Sequence, residues 1–331
     1  MDKSALLTIC IPTYNAEKTI LETLTSLKNQ SYNKFKIKVY DNCSTDSTVQ
    51  VVEEFKKSFT NIEIIINEEN IGAEANFTKC IQGGETKYTA IYHSDDIYFP
   101  DIVKKQLEVL ESDKNIGAVS TNAIAINENS TLLKKRFTPS PIRPGLNVFS
   151  KKSLLGLIYK YANFITCPSV MARTDIYQEH IKEWRGNIFK SSADLDVWIR
   201  ISEKSNFAFL NEHLIGYREA EASYSFRIAK KRVSEHDLFK VLEFYKENAT
   251  STMKDDLYFL YFKDITLRSI NLIRTCDTEL DFPNFNYSWI KIFEKGAQSK
   301  WHMKIFIAGL LIYLTRPLLS RRIRRIICEK K

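Results

Sequence analysis

The chain has 331 residues, 44% of them hydrophobic and 27% charged, and a formal net charge of +8. Such a length holds one large domain or two of about 100–200 residues, and the composition excludes a disordered, collagenous or coiled-coil chain. Residues 300–331 carry nine Lys/Arg and one acid, so the rest of the chain is charge-balanced, which disfavours a nucleic-acid-binding face on the body.

Strands and helices alternate over residues 1–120. Residues 6–11 form a short apolar run closed by Pro12. Asn15 is placed to cap a helix whose apolar positions Ile20, Leu24 and Leu27 recur at helical spacing. Residues 35–40 alternate as a strand ending at Asp41, and residues 44–46 start a helix expected to turn Val49, Val51, Val52 and Phe55 inward. The β-branched run 62–66 suits a buried parallel strand. Asn70-Ile71-Gly72 breaks the chain before a helix carrying Phe77 and Ile81. A fourth strand, 88–92, ends in His93-Ser94-Asp95-Asp96, Pro100 opens the next helix, and 116–120 is a fifth strand. This alternation argues for a parallel sheet covered on both faces.

Residues 128–150, polar and broken by Pro139, Pro141, Pro144 and Gly145, read as a loop or lid. A strand is expected over 164–171, a helix over 193–202, and strands over 207–210 and 214–217. From about residue 229 the pattern is helical: 233–245, 257–273 and 289–293. The expected division is an α/β body over 1–228, a helical extension over 229–299 and a basic tail over 300–331.

The six cysteines include no CxxC pair, and no histidine stands at zinc-finger spacing, so reduced thiols in the cytosol are expected. The amino-terminal apolar run lacks a signal-peptide cleavage site and reads as a strand. The longest apolar run, 305–314, is about half of a membrane span.

In parallel α/β sheets ligands bind beyond the carboxyl ends of the strands. Three such ends are unusually polar here: Pro12-Thr13-Tyr14-Asn15, Asp41-Asn42-Cys43-Ser44-Thr45-Asp46, and Asp95-Asp96. A carboxylate there accepts hydrogen bonds from a base or ribose, and two adjacent carboxylates hold a divalent cation that in turn holds a diphosphate. A lone Asp after a strand is more often a cap or turn residue, so the signal lies in the order and spacing of the set.

That order carries a resemblance. The runs ICIPTYNAEKTILETLTSLKNQSY, VYDNCSTDSTVQVV, NEENIGAEANF and YHSDDIYFPD, followed by SSADLDVWIRI and LIGYREAEASYS, cover residues 6–225 in sequence. Together they resemble the family 2 glycosyltransferases of bacterial surface-polysaccharide type. The resemblance implies a GT-A fold, a Rossmann-like and mostly parallel sheet flanked by helices, with nucleotide-sugar binding over about 1–125 and the acceptor side over about 126–228. It implies inverting transfer from a nucleotide-sugar donor to a glycan or lipid-linked acceptor.

Carried over residue by residue, the resemblance has Asp41 accept a hydrogen bond from the donor base, with Pro12 and Thr13 packed nearby. It has Asn70 shape a turn beside the base, and Asp95 contact the ribose or share the metal through water. Asp96 would ligate Mg2+ or Mn2+, Arg218 would reach the diphosphate or acceptor, and Asp194 would be the general base. Asp196 competes with Asp194, because residues two apart on a helix face different ways. One position departs from the family pattern: His93 stands where many members carry an acid, and it is read either as a bland strand-end residue or as a further metal ligand.

In the tail, Ile323, Ile326 and Ile327 alternate with Arg321, Arg322, Arg324 and Arg325. This is the pattern of an in-plane interfacial helix, so residues 300–331 are expected to hold the enzyme on the anionic inner face of the cell membrane. A docked helix or a dimer contact is the competing reading. Two other functions stay open: a non-catalytic binding domain of the same fold, and a sugar nucleotidyltransferase. The latter expects a Gly-rich basic loop after the first strand, and a dehydrogenase expects GxGxxG there; Pro12-Thr13-Tyr14-Asn15 is neither.

Overall fold

The computed structural model describes residues 5–139, 142–219, 232–275 and 288–315. The chain divides into two compact units, Met1–Leu155 with Asn163–Glu219, and Gly156–Ala162 with Ala220–Lys331.

The first unit is built on one ten-stranded sheet. Its strands are β1 (Leu7–Thr13), β2 (Phe35–Asp41), β3 (Ile62–Ile66), β4 (Tyr88–Ile91), β5 (Ile97–Tyr98), β6 (Ile116–Ile126), β7 (Leu132–Arg136), β8 (Gly145–Phe149), β9 (Met171–Arg173) and β10 (Asn206–Arg218). They lie in the order β3-β2-β1-β4-β9-β6-β10-β5, with β7 on β6 and β8 on β10. Helices α1 (Ile20–Lys28), α2 (Thr48–Lys56), α3 (Ala73–Gln82) and α4 (Ile102–Ser112) connect the early strands. Helix α5 (Lys151–Tyr161) follows β8, and a single turn, α6 (Gly186–Phe189), precedes α7 (Ala193–Lys204).

The apolar spacing explains the packing. Ile20, Leu24 and Leu27 of α1 and Val52 and Phe55 of α2 are buried against Leu7, Ile9, Ile11, Ile37 and Val39 of the central strands. Strands β3, β2, β1 and β4 are mutually parallel, so all four carboxyl ends open on one edge. Beyond β4 the sheet is mixed, because β9 runs antiparallel to both β4 and β6 while β6 and β10 are parallel.

Four local expectations differ from the structure. Residues 128–150 are not a bare loop but contain β7, which folds back as a hairpin on β6, and β8, whose partner β10 lies about 60 residues further along the chain. The strand expected over 164–171 is largely replaced by the 3-10 turn Cys167–Ser169, where Pro168 has no N–H to give a ladder. The strands expected over 207–210 and 214–217 form a single strand, β10, with a register shift between Leu210 and His213. Asn15 does not cap α1; it adopts φ 49° and its side chain accepts from Thr45 N at 2.9 Å.

The second unit is helical: α8 (Leu238–Phe244), α9 (Ser251–Thr275), α10 (Trp289–Gly296) and α11 (Lys300–Thr315). Phe259, Phe262, Ile265, Ile292 and Ile312 form its core. A Cβ on Gly309 would lie 2.3 Å from Phe262 Cζ, so only glycine lets α9 and α11 approach there. Among the described residues no helix is long and apolar enough to cross a membrane. The amphipathic repeat around Arg321–Ile327 lies outside the described residues.

Candidate active site

Register places the first group. Thr13 pairs with Asp41 across β1 and β2, and Pro12 with Tyr40. Thr13 and Asp41 are buried at the rim of the sheet. The Asp41 carboxylate accepts from the main-chain N–H of Ser44 at 2.9 Å and from its hydroxyl. A carboxylate offers about four lone-pair sites, so Ser44 leaves Asp41 with capacity for another donor.

Four asparagines hold this rim in shape. Asn42 Nδ2 donates to Asn70 Oδ1 at 2.9 Å, and Asn67 Nδ2 donates to Asn42 Oδ1 at 3.0 Å and to Asn76 Oδ1 at 3.2 Å. Asn76 in turn donates to Tyr40 O at 2.8 Å. Asn70 also accepts from Gly72 N, whose φ of +84° needs glycine. The side-chain oxygen of Asn70 is therefore spent on the turn itself. Asn42 belongs to the polar run after β2, but nothing in the sequence marks Asn67 and Asn76; their only signal is that one sits at a strand end and the other on the helix that follows it.

The second group lies after β4. Tyr98 of β5 stacks on Tyr92 with ring centroids 4.1 Å apart, and its hydroxyl accepts from His93 N at 2.7 Å. The short strand β5 pairs with Ile215 and Gly216 of β10, which brings the end of β10 beside Asp95 and Asp96. There the main-chain N–H of Arg218 donates to Asp96 Oδ1 at 2.8 Å. The guanidinium donates to Asp95 O at 2.7 Å, to Asn127 O and Glu128 O at 3.0 Å, and to Ser130 Oγ and the Glu22 carboxylate. Arg218 is buried and its guanidinium is wholly employed within the protein.

His93, Asp95 and Asp96 each offer one ligand atom, all within 4.8 Å of one another. His93 Nε2 and Asp96 Oδ2 are buried and have no hydrogen-bond partner. Burial pushes the Asp96 carboxyl well above the usual carboxylate range, and the charge of Asp95 adds to this. Burial likewise raises Asp95 and lowers His93 to about 4. This is a donor set with unmet capacity, the state expected of residues that fit a cation.

The third group is on α7. Asp194 lies in the first turn, and its Oδ1 accepts from Leu195 N at 2.7 Å. Its Oδ2 accepts from Asn163 Nδ2 at 2.7 Å. Burial raises its carboxyl to about 6, although both hydrogen bonds pull the other way. The Cys167 thiol ties this group to the second: burial, then the charge of Asp194, then that of Asp96 raise it well above its ordinary range. Asp196 goes elsewhere. It is fully buried, pairs with Arg200 at 2.8 Å and lies 3.6 Å from Arg185. The structure thus brings Pro12, Thr13, Asp41 and Asn70 to one rim and gathers Asp95, Asp96 and Arg218 beside it, while Asp194 stands in the first turn of α7, held by Asn163.

The chain belongs to glycosyl transferase family 2, whose sequence profile matches residues 8–181. It is 29% identical over 237 residues to an uncharacterized glycosyltransferase of Methanocaldococcus jannaschii, covering 70% of this chain and 77% of that one. It is 27% identical over 230 residues to the putative teichuronic acid biosynthesis glycosyltransferase TuaG of Bacillus subtilis, covering 68% of this chain and 85% of that one. Among solved structures, residues 1–349 of S. aureus TarS in complex with UDP-GlcNAc superpose with a TM-score of 0.57 at 17% identity, over 94% of this chain and 81% of that one. The mannosyltransferase PcManGT of Pyrobaculum calidifontis, in complex with GDP-Man and Mn2+, superposes with a TM-score of 0.56 at 14% identity, over 93% and 86% of the two chains. The protein is a glycosyltransferase with a GT-A fold.

Proposed function

We propose that this enzyme moves a sugar from a nucleotide-sugar donor to a glycan or lipid-linked acceptor of a surface polysaccharide, with inversion at the anomeric carbon. The observation that carries this reading is the buried, unpartnered oxygen of Asp96 beside ligand atoms of Asp95 and His93, on the same unit as Asp194, whose carboxyl is held near 6. Asp194 then serves the acceptor while Asp96 serves the leaving diphosphate. Asp194 is the general base. A carboxyl held near 6 is mostly ionised at neutral pH yet basic enough to take a hydroxyl proton. Asn163 and the Leu195 N–H fix the direction of its lone pairs.

Asp96, with Asp95 beside it, would hold Mg2+ or Mn2+; the buried, unpartnered Oδ2 of Asp96 fits that part. Such a cation supplies positive charge to a developing diphosphate, worth several kcal/mol. Asp41 accepts from the donor base, flanked by Pro12 and Thr13. Asn70 shapes the turn at that pocket rather than touching the donor. Arg218 acts as a positioning residue, since its guanidinium binds the main chain of Asp95 and the turn at 127–130. A panel of UDP-, GDP- and dTDP-sugars with Mn2+ or Mg2+ tests the reading. Metal-dependent turnover of one donor, lost in Asp96→Ala and in Asp194→Asn, supports it. If no donor is bound or turned over, the non-catalytic binding domain is the better account.

The second unit suggests a place in the cell. Helix α11 exposes Trp301, Ile307, Leu311, Tyr313 and Leu314, and the residues after it are strongly basic. Apolar side chains beside a cationic segment suit peripheral attachment to an anionic membrane surface through residues 300–331. Flotation with vesicles containing anionic lipid should capture the full chain and not one truncated at residue 300. Equal flotation of both would remove the tail from the account.

A further inference from the structure

We propose that His93 is a ligand of the same cation as Asp95 and Asp96, giving a mixed nitrogen and oxygen site that turns away from Mg2+ and toward first-row transition ions. This rests on the metal-assisted reading above.

Three observations on the chain carry it. The ligand atoms of His93, Asp95 and Asp96 lie within 4.8 Å of one another, close enough to share one ion. Both His93 Nε2 and Asp96 Oδ2 are buried with no partner, and Asp96 as a whole is 1% exposed. An orphaned buried nitrogen beside an orphaned buried carboxylate oxygen costs stability twice, and one cation satisfies both. Finally, the residue is held. Tyr98 Oη accepts from the main-chain N–H of His93 at 2.7 Å, which fixes the backbone, and Phe77 sits edge-on to the imidazole with centroids 5.4 Å apart.

The choice of metal follows from ligand chemistry. Mg2+ is small and hard, and is bound through oxygen and retained water. Imidazole nitrogen is a poor ligand for it and a good one for transition ions. A carboxylate in the place of His93 would leave an all-oxygen site open to Mg2+. The neutral imidazole also removes one negative charge from the cluster, which lowers electrostatic affinity for any divalent ion and leaves selectivity to the nitrogen.

The test uses the full chain with Mn2+ as the probe, with and without UDP. Pulsed electron paramagnetic resonance of bound Mn2+ should show modulation from a directly bound nitrogen, absent in His93→Gln. Competition should show that Mg2+ displaces Mn2+ at least about tenfold more readily from His93→Asp than from the wild type. Melting curves confirm that both variants fold. If Mn2+ binds, is lost in Asp96→Ala, and shows no nitrogen coupling, His93 is not a ligand while the metal-assisted reading stands. If the wild type binds no Mn2+ in either state, both readings fall together.

Discussion

The main-chain N–H of Arg218 donates to one oxygen of Asp96 at 2.8 Å and leaves the other oxygen buried and unpartnered. The same residue's side chain binds Asp95 O and closes an ion pair with Glu22. A residue some 120 positions downstream therefore sets the direction of the carboxylate that faces the proposed cation site. Lysine keeps the charge but not the fork, so Arg218→Lys should lose about 2–3 kcal/mol of stability and weaken donor binding together. Urea denaturation and donor titration read the two effects. Weaker donor binding with an unmoved unfolding midpoint would instead make Arg218 a direct contact to the donor.

The hydrogen bond from Asn163 to Asp194 favours the ionised carboxylate. Removing it in Asn163→Ala should raise a carboxyl already held near 6, so the acidic limb of the kcat profile moves to higher pH by about one unit. Asn163→Asp places a second acid there and should move it further. At pH 8 the Ala variant should regain most of its turnover. A profile that keeps its acidic limb while kcat falls uniformly would deny Asn163 this role.

The early half of the site was legible because parallel strands with helical returns put all their carboxyl ends on one edge, so a polar strand end already announces a place in the fold. Asp41, Asp95 and Asp96 belong to that pattern. Asn163 does not: it lies 31 positions before Asp194 in an irregular segment, and nothing local joins the two. Strand β8 is hidden for a similar reason, since its partner β10 lies about 60 residues away, while β7, Leu132–Arg136, is a short hairpin arm on β6 whose charged residues do not alternate with apolar ones. Helical spacing separated Asp194 from Asp196 by face without saying which face was which. The ion pair to Arg200 settles that for Asp196.

That ion pair gives a test of the division. Asp196 is fully buried between Arg200 and Arg185, so Asp196→Asn leaves two cations without their counter-charge. Breaking a buried pair in this way costs about 3–5 kcal/mol. The variant should unfold at markedly lower urea, while turnover per folded molecule stays within a few fold of the wild type. A stable but inactive Asp196→Asn would exchange the roles of the two aspartates.

Asp194→Asn should do the opposite on both counts. Turnover should fall about 10²–10⁴-fold, the usual contribution of a positioned base. Stability at pH 7 should rise, because the group being removed is a carboxylate that burial makes costly to ionise. The folded chain releases this proton near 6 and the unfolded chain near the ordinary 3.8. Between those values the folded state holds more protons, so this group's contribution makes the wild type less stable as pH rises through the window. Above it the deficit is constant, and below about pH 4 it is gone. Leu195 N and Asn163 Nδ2 reach different oxygens of Asp194, so the single amide oxygen keeps only one of the two bonds, and losing the other, worth about 1 kcal/mol, offsets part of the gain at every pH. Melting curves at pH 7.5 and pH 4 should therefore show the variant more stable by a few degrees at the higher pH, at about 2–4 °C per kcal/mol, and the gap narrowing at the lower. Equal stabilities at both would mean that Asp194 is not held against its own ionisation, and the base would need another source for its near-neutral proton affinity.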